Sequence, residues 1–171
     1  LQRADRVDDA ITALERVKEL DPEYANVAMR QGNWLLDAGR VDEAIPLFHE
    51  AVERGEQTPD RVAYQVWANG YQRGIEPDVK DWDYAVRVMG LARDFEPGAE
   101  TMEQINFWLG FAIFRQAVTR QEAQTLATAE ATLPRFQEAL RLFQNTGGYA
   151  VRQNMESTRQ QLIGNVNTYI E

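Results

Sequence analysis

An all-α fold built from repeated helix pairs is what this 171-residue sequence predicts, and three observations predict it. Residues 6–16 read RVDDAITALER, and 34 positions later residues 40–50 read RVDEAIPLFHE. Within each copy the apolar and small residues recur at spacings of three and four, which gathers them on one helical face. Between the copies stand proline and glycine, at the places where helices begin and end. A fixed period makes the chain a stack of equivalent units before any other reading.

Val7, Ala10, Leu14 and Val17 fall in register with Val41, Ala44, Phe48 and Ala51, and the alanines let a second helix approach closely. A third copy, DWDYAVRVMGLARDFEPG, places Trp82, Ala85, Met89 and Ala92 in the same relation and ends at Pro97, as the first ends at Pro22. Helices of another kind lie between. NVAMRQGNWLLDAG follows Asp21 and Pro22, an N-cap with proline in the first turn, and stops at Gly39. RVAYQVWANGYQRG is entered through Thr58 and Pro59 and closes near Gly74. INFWLGFAIF opens with Thr101 and Gln104 as a capping box and carries Leu109, Gly110 and Ile113. TLPRFQEAL echoes AIPLFHEAV, with Pro134 matching Pro46, across about ten extra residues, TRQEAQTLAT. After Gly147 and Gly148, Val151, Met155, Leu162, Val166 and Tyr169 share one face of what reads as a single capping helix. The expected division is residues 1–148 as about three and a half helix pairs and residues 149–171 as the cap.

In the second kind of helix Tyr64, Trp67, Ala68 and Tyr71 follow the spacing W-x2-L-G-x2-Y with conservative replacements. With the 34-residue period, the small-residue crossing and the terminal proline, the chain resembles the tetratricopeptide repeat (TPR) family. Residues 23–56 carry the most specific match, holding Gly32, Gly39, Ala44, Phe48 and Ala51 together. Residues 1–22 match only the second helix of a repeat, so the chain as given starts inside one, and a start at Leu1 rather than Met marks a processed or partial chain. The resemblance implies a right-handed α-solenoid of antiparallel helix pairs, with first helices lining a concave face that binds a peptide or protein segment.

Composition removes several function classes. A net charge of −9 lacks the basic footprint that nucleic acid or an anionic membrane surface demands. Residues 1–60 carry 14 acids against 7 bases and residues 105–171 carry 5 against 6, so the two ends differ in field. With no cysteine there is no disulfide, thiolate metal site or cysteine nucleophile, and the compartment stays undecided. No stretch approaches the roughly 20 apolar residues of a membrane span, so no membrane insertion is expected.

Catalysis finds little support. His49 is the single histidine, on a helix whose other face supplies the packing stripe, and it reads as solvent-exposed. FHEAVE has no second histidine for a zinc pair. The acids of EPDVKDWD lack the tight-turn glycine and alternating spacing of a calcium loop, and Asp81 there reads as an N-cap. GYQRG is too short to cradle phosphate. No metal, cofactor or catalytic residue is expected.

Binding residues follow from the concave face that the resemblance implies. Met29, Asn33, Gln65, Asn69 and Gln72 are placed there, with Asn33 and Asn69 at equivalent positions of consecutive helices. Carboxamides pair with both donor and acceptor of an extended backbone. Some family members grip a terminal carboxylate with cationic residues around such asparagines; Lys18 and Lys80, the only lysines, lie on no concave helix, so that clamp is not expected. Phe107, Phe111 and Phe114 form a second apolar stripe beside the core stripe of Ile105, Trp108, Leu109, Ala112 and Ile113. Such a helix is either covered twice from within or offers a hydrophobic floor to a partner. The expected function is a non-catalytic protein-binding scaffold. The alternative is a subunit that assembles end to end, or a homo-oligomer, through the open N-terminal end, since a first repeat without its first helix leaves apolar surface.

Overall fold

The computed structural model describes the backbone of residues 2–21, 24, 26–78, 80–122 and 126–170, and the side chains among them except at 2–5, 121, 122 and 126–130. Pro22 and most of the inserted segment 119–128 lie outside the described side chains. Helices α1 (Gln2–Leu20), α2 (Val27–Asp37), α3 (Val41–Glu53) and α4 (Pro59–Gly70) come first. The last of these continues into a π-helical turn, Tyr71–Ile75. Then follow α5 (Trp82–Arg93), α6 (Ala99–Glu122), α7 (Leu126–Gln144), α8 (Gly147–Arg152) and α9 (Glu156–Ile170). All regular structure among the described residues is helical, and α2 packs on α3, α4 on α5, α6 on α7 and α9 on α7. The architecture is an all-α solenoid of antiparallel helix pairs.

One kind of contact repeats down the stack. Ala44, Phe48 and Ala51 of α3 are fully buried, as are Ala85, Met89 and Ala92 of α5 and Ala139 and Phe143 of α7. The first helix of each pair crosses this row at a glycine. A Cβ on Gly32 would meet the Phe48 ring at 2.7 Å, one on Gly70 would meet Met89 at 3.2 Å, and one on Gly110 would meet Phe143 at 3.3 Å. Close approach therefore demands hydrogen at that position. This corrects the expected register of the third unit: Gly70, not Ala68, matches Gly32, and the spacing Tyr64, Trp67, Ala68, Tyr71 sits two residues out of phase. Val66 and Asn69 turn inward beside Trp67, while Tyr64 is left exposed.

Helix ends are set partly by local and partly by distant residues. Gly39 and Gly55 hold the left-handed conformation, at φ 81° and 69°, beyond α2 and α3. Thr58 accepts from the Arg61 amide and Asp81 from that of Tyr84, both as N-caps. The helix closes near Gly74, with the π turn ending at Ile75, and Gly74 is buried in that turn, where a Cβ would stand 2.6 Å from Ala85 Cβ. The start of α2 lies at Val27, not after Asp21, and Glu56 accepts from the Met29 amide at 3.3 Å. The capping box at Thr101 is also replaced: α6 starts at Ala99, and the Asp60 carboxylate accepts from the Gly98 amide at 3.1 Å and the Thr101 hydroxyl at 2.9 Å.

At the C-terminal end the single helix expected after Gly148 is two. Asn154 takes a left-handed φ of 55°, which ends α8 and redirects the chain into α9. Val151 is consequently exposed, while Leu162 and Val166 are buried and Tyr169 stacks on Phe136 at 4.8 Å. At the other end, α1 is tied to the next unit by Lys18 with Glu50 at 2.5 Å and by Arg40 with Asp8. Its Val7, Ala10 and Val17 are only half-buried, although their counterparts Val41, Ala44 and Ala51 are sealed.

Candidate functional site on the first helices

Successive first helices touch, α2 with α4 and α4 with α6, whereas the second helices stay further apart. The first helices therefore form the inner side of the curve. Between α2 and α4 lies a cavity of about 280 Å³ lined by Asn33, Leu36, Asp37, Gln65, Ala68, Asn69 and Gln72. Four of the five residues expected on this face thus converge: Asn33, Gln65, Asn69 and Gln72. A neighbouring hollow of about 410 Å³, lined by Gln72, Arg73, Pro77, Asp81 and Tyr84, shares Gln72 with the first.

The side chains differ in how free they are. Gln65 donates through Nε2 to Asn33 Oδ1 at 3.0 Å, a bond that crosses from α4 to α2. Gln72 is exposed. Asn69 is buried, donating to the Leu36 carbonyl at 3.2 Å and accepting from the Tyr84 hydroxyl at 2.5 Å. Its counterpart is not Asn33 but Gln31, also buried and also donating to a carbonyl of the preceding unit, Ile11, at 3.4 Å. In the corrected register the amide pair is not equivalent: Asn69 is a structural amide and Asn33 an inner-face one. Met29 is a second correction, since its side chain is 6% exposed and belongs to the core.

Sequence reading missed Asp37, Leu36, Ala68 and Tyr84. Asp37 closes α2, and Arg73, swung toward it by the π turn, donates to the Asp37 carbonyl at 3.0 Å. Single π turns inside helices cluster at functional sites because they re-aim side chains. Beside the amides runs an aromatic series. Tyr64 and Tyr71 flank Ala68 by one turn on either side of α4, Trp67 lies between them, and Tyr71 meets Trp108 of α6 edge-on at 4.8 Å. Tyr64 is 47% exposed. Burial, and secondarily the charge of Glu76, pushes the Tyr71 phenol above its ordinary value. Burial also raises that of Tyr149, against the lowering effect of the bond that Trp108 Nε1 donates to it at 3.0 Å.

The phenylalanine stripe is covered from within. Phe107 is 1% exposed among Trp108, Phe143 and Tyr149, and Phe114 is held between Phe136 and Tyr169. Neither is a ligand floor, because α7, α8 and α9 supply the second cover. Phe111 is half-buried between Trp82 and Trp108. His49 is exposed and stacks on Phe95 at 4.4 Å. Among the described residues no group of three or more His, Asp or Glu is placed to hold a metal ion, and no helix is long and apolar enough to cross a membrane.

No protein-family model and no curated protein matches the chain. Among solved structures it is similar to one described as "Crystal structure of MamA protein", at 14% identity and a TM-score of 0.37, over 98% of this chain and 85% of that one. A second, "Crystal structure of MamA", is similar at 14% identity and 0.36, over 98% and 91%. A third, "MamA MSR-1 C2", is similar at 18% identity and 0.31, over 97% and 88%.

Proposed function

We propose that the chain is a non-catalytic, tetratricopeptide-like interaction scaffold whose inner face holds an extended segment of a partner protein. The convergence of Asn33, Gln65 and Gln72 on one cavity carries this reading. Carboxamides on a concave surface meet both the N–H and the C=O of a peptide backbone, and side chains exposed in the empty groove exchange water for ligand. A photo-crosslinking residue at Gln72 should trap the partner, whereas one at exposed Glu53 of α3 should not. Asn33→Ala and Gln65→Ala should each weaken partner binding by about 0.5 to 1.5 kcal/mol in calorimetric titration. The double variant should lose less than the sum, since these amides already bond each other. Unchanged affinity in all three would remove the inner face from consideration.

A second reading, self-association through the N-terminal end, rests on a separate observation. Arg6, Val7, Ala10 and Trp34 line an open cavity of about 280 Å³ on the half-covered face of α1. Light scattering over a concentration series should give a rising mass for the parent chain. Ala10→Glu should remain monomeric with unchanged helix content by circular dichroism. A parent that stays monomeric throughout rejects this reading.

A further inference from the structure

We propose that the cavity between α2 and α4 receives an arginine side chain presented by the extended partner segment, an inference that rests on the inner-face reading above. Beside Asn33 Nδ2 and the Gln72 carboxamide, which suit a peptide backbone, the covered group and the ionised group left in the cavity are both acceptors. Both ends of the Asn69 amide are taken, Asn33 Oδ1 accepts from Gln65, and the Leu36 and Asp37 carbonyls accept from Asn69 and Arg73. What remains includes two acceptors. Gln65 Oε1 is covered and has no donor among the described residues. The Asp37 carboxylate, exposed at the rim, has no ion-pair partner among them either.

A guanidinium is the side chain that answers such a set, with five N–H donors, no acceptor and a planar fork that fits a carboxylate. Charge agrees: Asp37 is the one ionised group in the lining of this cavity, on a chain of net charge −9. Arg73, a cation beside the cavity, donates through Nη2 to the Asp37 carbonyl and forms no ion pair with the Asp37 carboxylate among the described residues. Arginine is favoured over lysine by the aromatic series next to the cavity. Tyr64 and Tyr71 stand one turn either side of Ala68, and elsewhere in this chain Arg115 places its guanidinium 5.7 Å above the Trp82 ring. Planar guanidinium groups gain from such faces where an ammonium gains less.

The test uses three short, fluorescein-labelled Gly/Ser peptides that differ in one central residue: arginine, glutamine or glutamate. In anisotropy titrations the arginine peptide should bind about tenfold or more tightly than the other two. Asp37→Asn should weaken it about fivefold or more, while Glu53→Gln, the same charge change on the outer surface, should leave it within about twofold. Amide chemical shifts should move at Asn33, Gln65 and Ala68. Equal binding of the arginine and glutamine peptides, or equal losses in Asp37→Asn and Glu53→Gln, would overturn the proposal. A glutamine peptide that binds as tightly, with shifts at Asn33 and Gln65, sinks only the arginine preference; peptides that shift nothing on this face sink the inner-face reading too.

Discussion

Phe107→Ala should lower stability by about 3 to 5 kcal/mol, the range for emptying a buried phenylalanine site. The ring is 1% exposed and touches Trp108, Phe143 and Tyr149, so its removal opens a hole shared by α6, α7 and α8. In a chain of this length the loss corresponds to a fall in melting temperature of about 6 to 20 °C. Thermal melts followed by circular dichroism would read it. Phe111→Ala is the internal comparison: its side chain keeps partial contact with solvent, and it should cost less than Phe107→Ala. A Phe107 variant that melts within a degree or two of the parent would mean that the stripe is open to ligands after all.

Gly74→Ala should be the most damaging single-methyl change. The added carbon would stand 2.6 Å from Ala85 Cβ, 2.8 Å from the Asp81 carbonyl oxygen and 2.9 Å from Ala85 Cα. Two of these three atoms are backbone, so α5 itself must shift, and the cost should reach about 3 kcal/mol, the upper end for overpacking. Gly90 supplies the control, with nothing within 4 Å of its would-be Cβ in the interior of α5. Gly90→Ala should stabilise by about 0.5 to 1 kcal/mol through helix propensity alone. Urea midpoints for the pair should move in opposite directions; a shared direction would contradict the packing described for the π turn.

The helical stack was legible because its cause is local: spacings of three and four, alanine at the crossing, and Thr58, Pro59, Gly39 and Asp81 at the ends. Phase was harder. The stretch Ala68-Asn69-Gly70 offers two small residues, and only the approach of Met89 tells which one sits at the crossing. That two-residue ambiguity is why Asn69 reads as a surface amide and is buried. Met29 fails for a related reason, since an apolar residue near the start of α2 suits either a ligand-facing or a core position and only the packing of α2 in the stack buries it. Gln65 and Gln72 were legible because exposed amides on a first helix satisfy either phase. The caps at Glu56 and Asp60 had no sequence signature, because each carboxylate sits dozens of residues from the amide it serves.

Asp60 lies in the first turn of α4, yet it closes the first turn of α6. A linear stack in which each unit touched only its neighbour's flank would fray unit by unit from either end. Here the acceptor for one unit's opening amide is owned by the unit before it. Melting of the third pair strips the fourth of this anchor, so the Asp60 carboxylate ties the opening of α6 to the integrity of α4.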